Sequence, residues 1–224
     1  AGLPFISPDY SSAWLLKDVQ MGYLQEKFGK KGLMILYTSP WPGQGFYTKT
    51  PVNSVADFKG KKLRIYSTAT QQMGSMLGFN ATILPFAEIP QAFSTGLIEA
   101  LFTSPQTGID IQAWDNTKHF TYAGAIFSKN AVVVSKKAFN ALSKNDQANM
   151  LAAAKRAELR GWEMSAETTK KQIDILKKNG MSAKNAPDEV ISKMKTIGIE
   201  MMKTWRAKAS PEANVVLDRY LSMR

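Results

Sequence analysis

The sequence predicts an α/β protein whose parallel sheet carries a ligand crevice beyond the carboxyl ends of its strands. Three observations predict it. Between residues 63 and 103, short strand-like runs alternate with single helical segments that close on Gly78 and Gly96, and strands sharing one direction need such crossovers. Residues 143–179, interrupted only by Gly161, read as one helix of about 55 Å at 1.5 Å per residue, long enough to touch two lobes. The 224 residues are 44% apolar, with 5 Trp, 7 Tyr and 11 Phe, enough to bury a core without the staples that the absence of Cys rules out.

In chain order, residues 10–28 carry Trp14, Leu15, Val19, Met21 and Leu24 ahead of Gly29, a helix with a glycine stop. Residues 33–37 read as a short strand. Residues 39–45, with two prolines and two glycines around Trp41, read as a loop, and residues 51–54 as a second irregular link. After the turn Asp57-Phe58-Lys59-Gly60, alternation over residues 61–66 turns Leu63 and Ile65 to one face and Arg64 and Tyr66 to the other. There follow a helix at 69–77, a strand at 82–84, a helix at 87–95, a strand at 98–103, and later strands at 120–122 and 131–135. Ser143 with Asp146 caps the long helix, along which Leu159, Trp162, Ala166, Thr169, Ile173 and Leu176 recur at three and four. Past Pro187 a helix aligns Val190, Met194, Ile197, Met201 and Trp205, and a last one opens on Ser210-Pro211-Glu212.

No apolar run approaches the roughly 18 residues of a membrane span. The net charge of +11 is spread over single and paired lysines, the pattern of a solvated surface, so no nucleic-acid groove is expected. The single His119 offers no cluster for a metal, and any triad would have to run through it. Gly43-Gln44-Gly45 lacks the third glycine of a dinucleotide loop. Asp110 and Asp115 read as solvated acids. An enzyme would have to use Glu88 or Asp110 as a base, without a nucleophile beside it. Arg64 reads equally well as a strand residue continuing the Lys61-Lys62 surface charge or as a planar fork that grips a carboxylate in a crevice.

The segments Asp57-Phe58-Lys59-Gly60-Lys61-Lys62-Leu63-Arg64, Leu77-Gly78-Phe79-Asn80-Ala81-Thr82-Ile83-Leu84-Pro85-Phe86-Ala87-Glu88, Gln91-Ala92-Phe93 and Gly96-Leu97-Ile98-Glu99-Ala100, in that order, resemble the extracytoplasmic solute-binding proteins of TRAP (tripartite ATP-independent periplasmic) transporters, of the DctP type. The resemblance runs from Leu3-Pro4-Phe5 through Gly45-Phe46-Tyr47-Thr48 to Gly161-Trp162 and Asn179-Gly180-Met181. It implies a periplasmic-binding-protein-like fold: two α/β lobes with parallel or mixed sheets, joined by crossing strands and a long helix, with the ligand in the cleft between them. On that plan residues 1–36 are a remnant of the first lobe, 37–130 mainly the second, ligand-binding lobe, 131–142 a crossing strand, 143–180 the long helix and 181–224 the C-terminal helices. Members usually open with further βα units, so the first lobe is expected to be incomplete, with an uncovered strand edge; the chain opens on Ala1 without a signal-peptide pattern, and an upstream portion is expected.

The resemblance also implies a site. Arg64 would salt-bridge an organic acid's carboxylate, with Ser67 just past its strand, Phe86 as an apolar wall, Gln44 and Trp41 on the facing loop and Asn130 on a crossing strand. Ser104, in Thr103-Ser104-Pro105, stands where many members carry an asparagine, and Gln44 where some carry a second arginine. One cationic fork suits a small monocarboxylate, and Trp41 with Phe86 suits an aromatic or a 2-oxo or 2-hydroxy acid. The implied partners are that ligand and the TRAP membrane permease; the implied compartment is the periplasm. Neither catalysis, a cofactor, a metal nor nucleic acid is expected.

Overall fold

The computed structural model describes residues 2–224. In chain order its main elements are α1 (Tyr10–Gly29), β1 (Leu33–Pro40), β2 (Gly45–Thr48), β3 (Lys62–Ile65), α2 (Thr68–Met76), β4 (Asn80–Ile83), α3 (Ile89–Ser94), β5 (Ala100–Thr103) and α4 (Pro105–Asp110). They continue with β6 (His119–Tyr122), β7 (Lys129–Ser135), α5 (Lys136–Asn140), α6 (Lys144–Lys178), β8 (Ser182–Asn185), α7 (Asp188–Lys208) and α8 (Pro211–Met223). Helix starts follow local chemistry: Asp9 and Ser12 form a capping box on α1, the Ser143 hydroxyl accepts from the Asp146 amide on α6, and Ser210 caps α8 with proline next in line.

One sheet pairs β1 with β7 antiparallel; the other has six strands in the order β4-β3-β5-β2-β6-β8. The pairs β3/β4, β3/β5 and β6/β8 are parallel, as the crossovers predict, but β2 runs antiparallel to both β5 and β6. The larger sheet is therefore mixed. Strand β2 lay hidden behind the loop 39–45 because it holds only four residues. At its start Gly45 lies so close to β6 that a Cβ there would fall 2.4 Å from the Thr121 carbonyl oxygen.

Strand alternation sends apolar residues to both faces of this sheet. Phe46, Leu63, Ile65, Ala100 and Phe102 pack with Met73 of α2 and with Val190, Met194, Ile197 and Met201 of α7. On the opposite face Tyr47, Leu101 and Phe120 pack with Ile89, Ala92 and Phe93 of α3 and Leu176 of α6. Since the chain leaves β3 for β4 on one side and returns to β5 on the other, the order reverses beside β3, and a crevice opens there beyond the strand ends.

Two expectations need correction. In the predicted stripe of the long helix, Leu159 is 53% exposed and Ala166 is exposed; the buried line of α6 is Ala154, Trp162, Ser165, Gln172 and Leu176. This helix packs against β1 of the small sheet and against α4 and β8, so its buried side meets polar backbone and amides as well as apolar core; the Tyr10 hydroxyl, for one, donates to the Ser165 carbonyl at 2.7 Å. Trp205, at the end of the α7 stripe, is 40% exposed. Strand β1 runs across residues 36 and 37 and β7 across residues 130 and 131, and α5 follows β7 within residues 131–142. Among the described strands β1 and β7 pair only with each other, so both outer edges of this ribbon lack a strand partner. No described helix is long and apolar enough to cross a membrane.

The first residue of β7, Lys129, carries a charge that the fold disfavours. Burial, with Lys17 as a second and lesser cause, lowers the Lys129 pKa to about 8, and no described carboxylate pairs with it. Its charged form is disfavoured in the fold, so the cost is present at pH 7 and relieved as pH rises through 8 toward the unfolded value. The thermal midpoint should accordingly gain a component between pH 7 and 9.5 that Lys129→Met removes, a comparison that differential scanning calorimetry of the two proteins makes directly.

Candidate functional site

Arg64 occupies the third position of β3, a strand buried from Leu63 to Ile65, and only 4% of the residue is exposed. Its Nε donates to the Leu84 carbonyl at 3.1 Å, and the guanidinium carbon lies 6.0 Å from the centroid of the Tyr66 ring. Among the described residues no carboxylate stands within salt-bridge distance. Burial lowers the Arg64 pKa from its ordinary value, opposed by Tyr66. A guanidinium never releases its proton at working pH, so the result is a desolvated cation short of an anion.

That cation faces a cavity of about 460 Å³. Its lining includes Trp41 just past β1, Gln44 just before β2, Tyr66 past β3, Phe86 past β4, Ser104 past β5, and Ser128 and Asn130 around the start of β7. The antiparallel β2 brings its amino end to the carboxyl ends of β5 and β6, pairing Gly45 with both Thr103 and Tyr122. That is how Gln44 reaches a crevice that the exits of β1, β3, β4 and β5 also line.

The polar groups here are already ordered. The Tyr66 hydroxyl donates to Gln44 Oε1 at 2.7 Å, and Gln44 Nε2 donates to Ser128 Oγ at 3.0 Å. Burial, only partly offset by these hydrogen bonds, pushes the Tyr66 pKa up to about 12, so its hydroxyl stays neutral. Ser104 is the N-cap of α4: its Oγ accepts from the Thr107 amide at 3.2 Å, and its carbonyl accepts from the Tyr47 hydroxyl at 3.1 Å. Phe86 is exposed and Trp41 partly buried, forming apolar walls.

Six of the seven expected positions, Arg64, Phe86, Ser104, Gln44, Trp41 and Asn130, thus line one cavity. Ser67 is not among them. Its hydroxyl accepts from the Thr70 amide at 3.2 Å as the N-cap of α2, which is where the end of β3 puts it. Tyr66, Thr103, Thr107 and Ser128 also line the cavity without having been expected there, as does Asp110, which the sequence offers only as a solvated acid or an enzyme's base. Tyr66 follows Arg64 by two on an alternating strand, and Thr107 and Asp110 follow Ser104 by three and six on one helix, so spacing held a signal for these three once α4 was known. Among the described residues no group of His, Cys, Asp and Glu could hold a metal.

A model of the DctP family, described as bacterial extracellular solute-binding protein, family 7, matches residues 1–208. Two solved structures superpose over nearly the whole chain. DctP7 of Bordetella pertussis, an extracytoplasmic solute receptor binding pyroglutamic acid, is 37% identical with a TM-score of 0.95, covering 97% of this chain and 72% of that one. DctP6 of the same organism, also a receptor binding pyroglutamic acid, is 34% identical with a TM-score of 0.95, covering 99% and 73%. The 2,3-diketo-L-gulonate-binding periplasmic protein YiaO of Escherichia coli is 26% identical over 183 residues, 80% of this chain and 56% of its own length. The chain spans just over half the length of the curated relatives it matches, 53% and 56% in the first two.

Proposed function

This chain belongs to the DctP family of bacterial extracellular solute-binding proteins, and from that premise we propose that it captures a small organic monocarboxylate outside the cytoplasm and presents it to a TRAP membrane permease. The family and its solved neighbours are solute-binding receptors, not enzymes. The observation that carries the reading is the buried guanidinium of Arg64, unpaired among the described residues and lining a cavity with Trp41 and Phe86. A carboxylate there would accept from the terminal nitrogens of the fork, and the aromatic walls would cover the rest of a compact acid. A ligand held from both sides of a crevice binds the closed arrangement better and shifts the population toward it. Pyroglutamate is the first candidate, since the relatives reported to bind it share 34% and 37% identity with this chain; a 2-oxo or 2-hydroxy acid is the second.

Calorimetric titration and thermal melts with pyroglutamate, lactate, pyruvate and benzoate test this. At a ligand concentration 100 times Kd, binding to the folded state alone adds about 2.7 kcal/mol, or about 5–10 °C in Tm for a domain of this size. If none of these acids gives heat or a shift, the reading fails.

A further inference from the structure

The cavity that holds Arg64 also holds an acid. Asp110 lines it from the last residue of α4, and the two charges do not pair within salt-bridge distance. The aspartate is held in place: Gln106 Nε2 donates to its Oδ1 at 2.7 Å, and Gln106 Oε1 accepts at 2.9 Å from Nε2 of Gln172, a buried residue of α6. Oδ2 makes no hydrogen bond among the described residues. A cavity with an open cationic fork and a separate, braced carboxylate is complementary to a molecule that presents an anion at one place and a hydrogen-bond donor at another.

Resting on the carboxylate-capture reading, we infer that Asp110 determines specificity: it accepts a hydrogen bond from an N–H of the ligand and turns away acids that carry a second carboxylate. A lactam acid satisfies both charges. Its carboxylate meets Arg64 and its ring N–H meets Asp110, whereas the corresponding lactone would set an oxygen lone pair against the carboxylate. A dicarboxylate would bring like charges together.

The test is calorimetry on the full chain with three probes: L-pyroglutamate; 5-oxotetrahydrofuran-2-carboxylate, in which oxygen replaces the ring N–H; and glutarate. The wild-type chain should prefer the lactam over the lactone by about 10- to 100-fold, the worth of one hydrogen bond to a charged acceptor. Asp110→Ala should weaken pyroglutamate by about that factor and leave the lactone within about threefold. Asp110→Asn, which keeps shape but not charge, should strengthen glutarate at least about tenfold. A wild-type chain that binds lactam and lactone alike, or a D110A chain that keeps the preference, overturns the role of Asp110 and leaves that of Arg64 standing. A wild-type chain that binds neither lactam nor lactone overturns the role of Asp110, and one that also binds none of lactate, pyruvate and benzoate overturns that of Arg64.

Discussion

Arg64→Ala is expected to abolish measurable carboxylate binding while leaving the free protein at least as stable as the parent. Truncating one partner of a buried, hydrogen-bonded charge pair costs about 2–5 kcal/mol, which corresponds to about 30- to several-thousand-fold in affinity for pyroglutamate. Arg64→Lys should not restore it, because a point charge on a flexible stem cannot donate two parallel hydrogen bonds from β3. The stability arm has the opposite sign. In the free protein Arg64 is 4% exposed as a residue, and among the described residues its guanidinium makes one hydrogen bond, to Leu84, while burial disfavours its charge. Removing a desolvated, unpaired cation relieves that cost, and losing one hydrogen bond gives back only about 0.5–1.5 kcal/mol. Arg64→Met, which keeps the apolar stem, should therefore melt at or above the parent temperature with no ligand-induced shift. A clear fall in the ligand-free midpoint would instead make Arg64 a structural residue.

The largest expected loss of stability comes from Phe46→Ala. Phe46 has no exposure, and its ring centroid lies 4.7 Å from that of Phe58, 4.8 Å from Phe102 and 5.7 Å from Phe79. It sits on β2, between β5 and β6, so no neighbouring element can close over the vacated space without bending the sheet. A buried Phe→Ala change costs about 3–5 kcal/mol, a large fraction of the roughly 5–15 kcal/mol that holds a domain together. Urea titration should show a lower midpoint at constant slope. Phe46→Leu should cost less than about 1.5 kcal/mol and bind as the parent does, because the ring faces the α2 and α7 side rather than the cavity. A Phe46→Ala chain losing less than about 1 kcal/mol would mean that this cluster is not a tightly packed core.

How far the sequence reached depended on the range of the interactions involved. The capped helices, the strand holding Leu63, Arg64 and Ile65, and the crossovers back to β4 and β5 were legible because caps, glycine stops and period-two alternation act within a few residues. Strands β2 and β8 and helices α4 and α5 were missed. Each is six residues or shorter and, unlike the equally short β3, β4 and β5, lies outside the regular alternation of strands and helices that marked them. The long helix was found in length but not in orientation, since the side it buries is chosen by β1, α4 and β8, not by its own apolar count. Six of the seven residues that the family resemblance names line the cavity; Ser67 does not, and its hydroxyl accepts from the Thr70 amide.

By itself the sequence determined the α/β class, the element carrying Arg64 and a composition with no cysteine and one histidine. These follow from composition and from contacts between near neighbours in the chain. Only the tertiary structure decided that β2 runs antiparallel between β5 and β6, that Arg64 is buried with no carboxylate among the described residues paired to it, and that Asp110 shares its cavity. Each of those depends on which distant segments displace water from the same small volume, and the free energy of a charge is set by that volume rather than by its place in the chain.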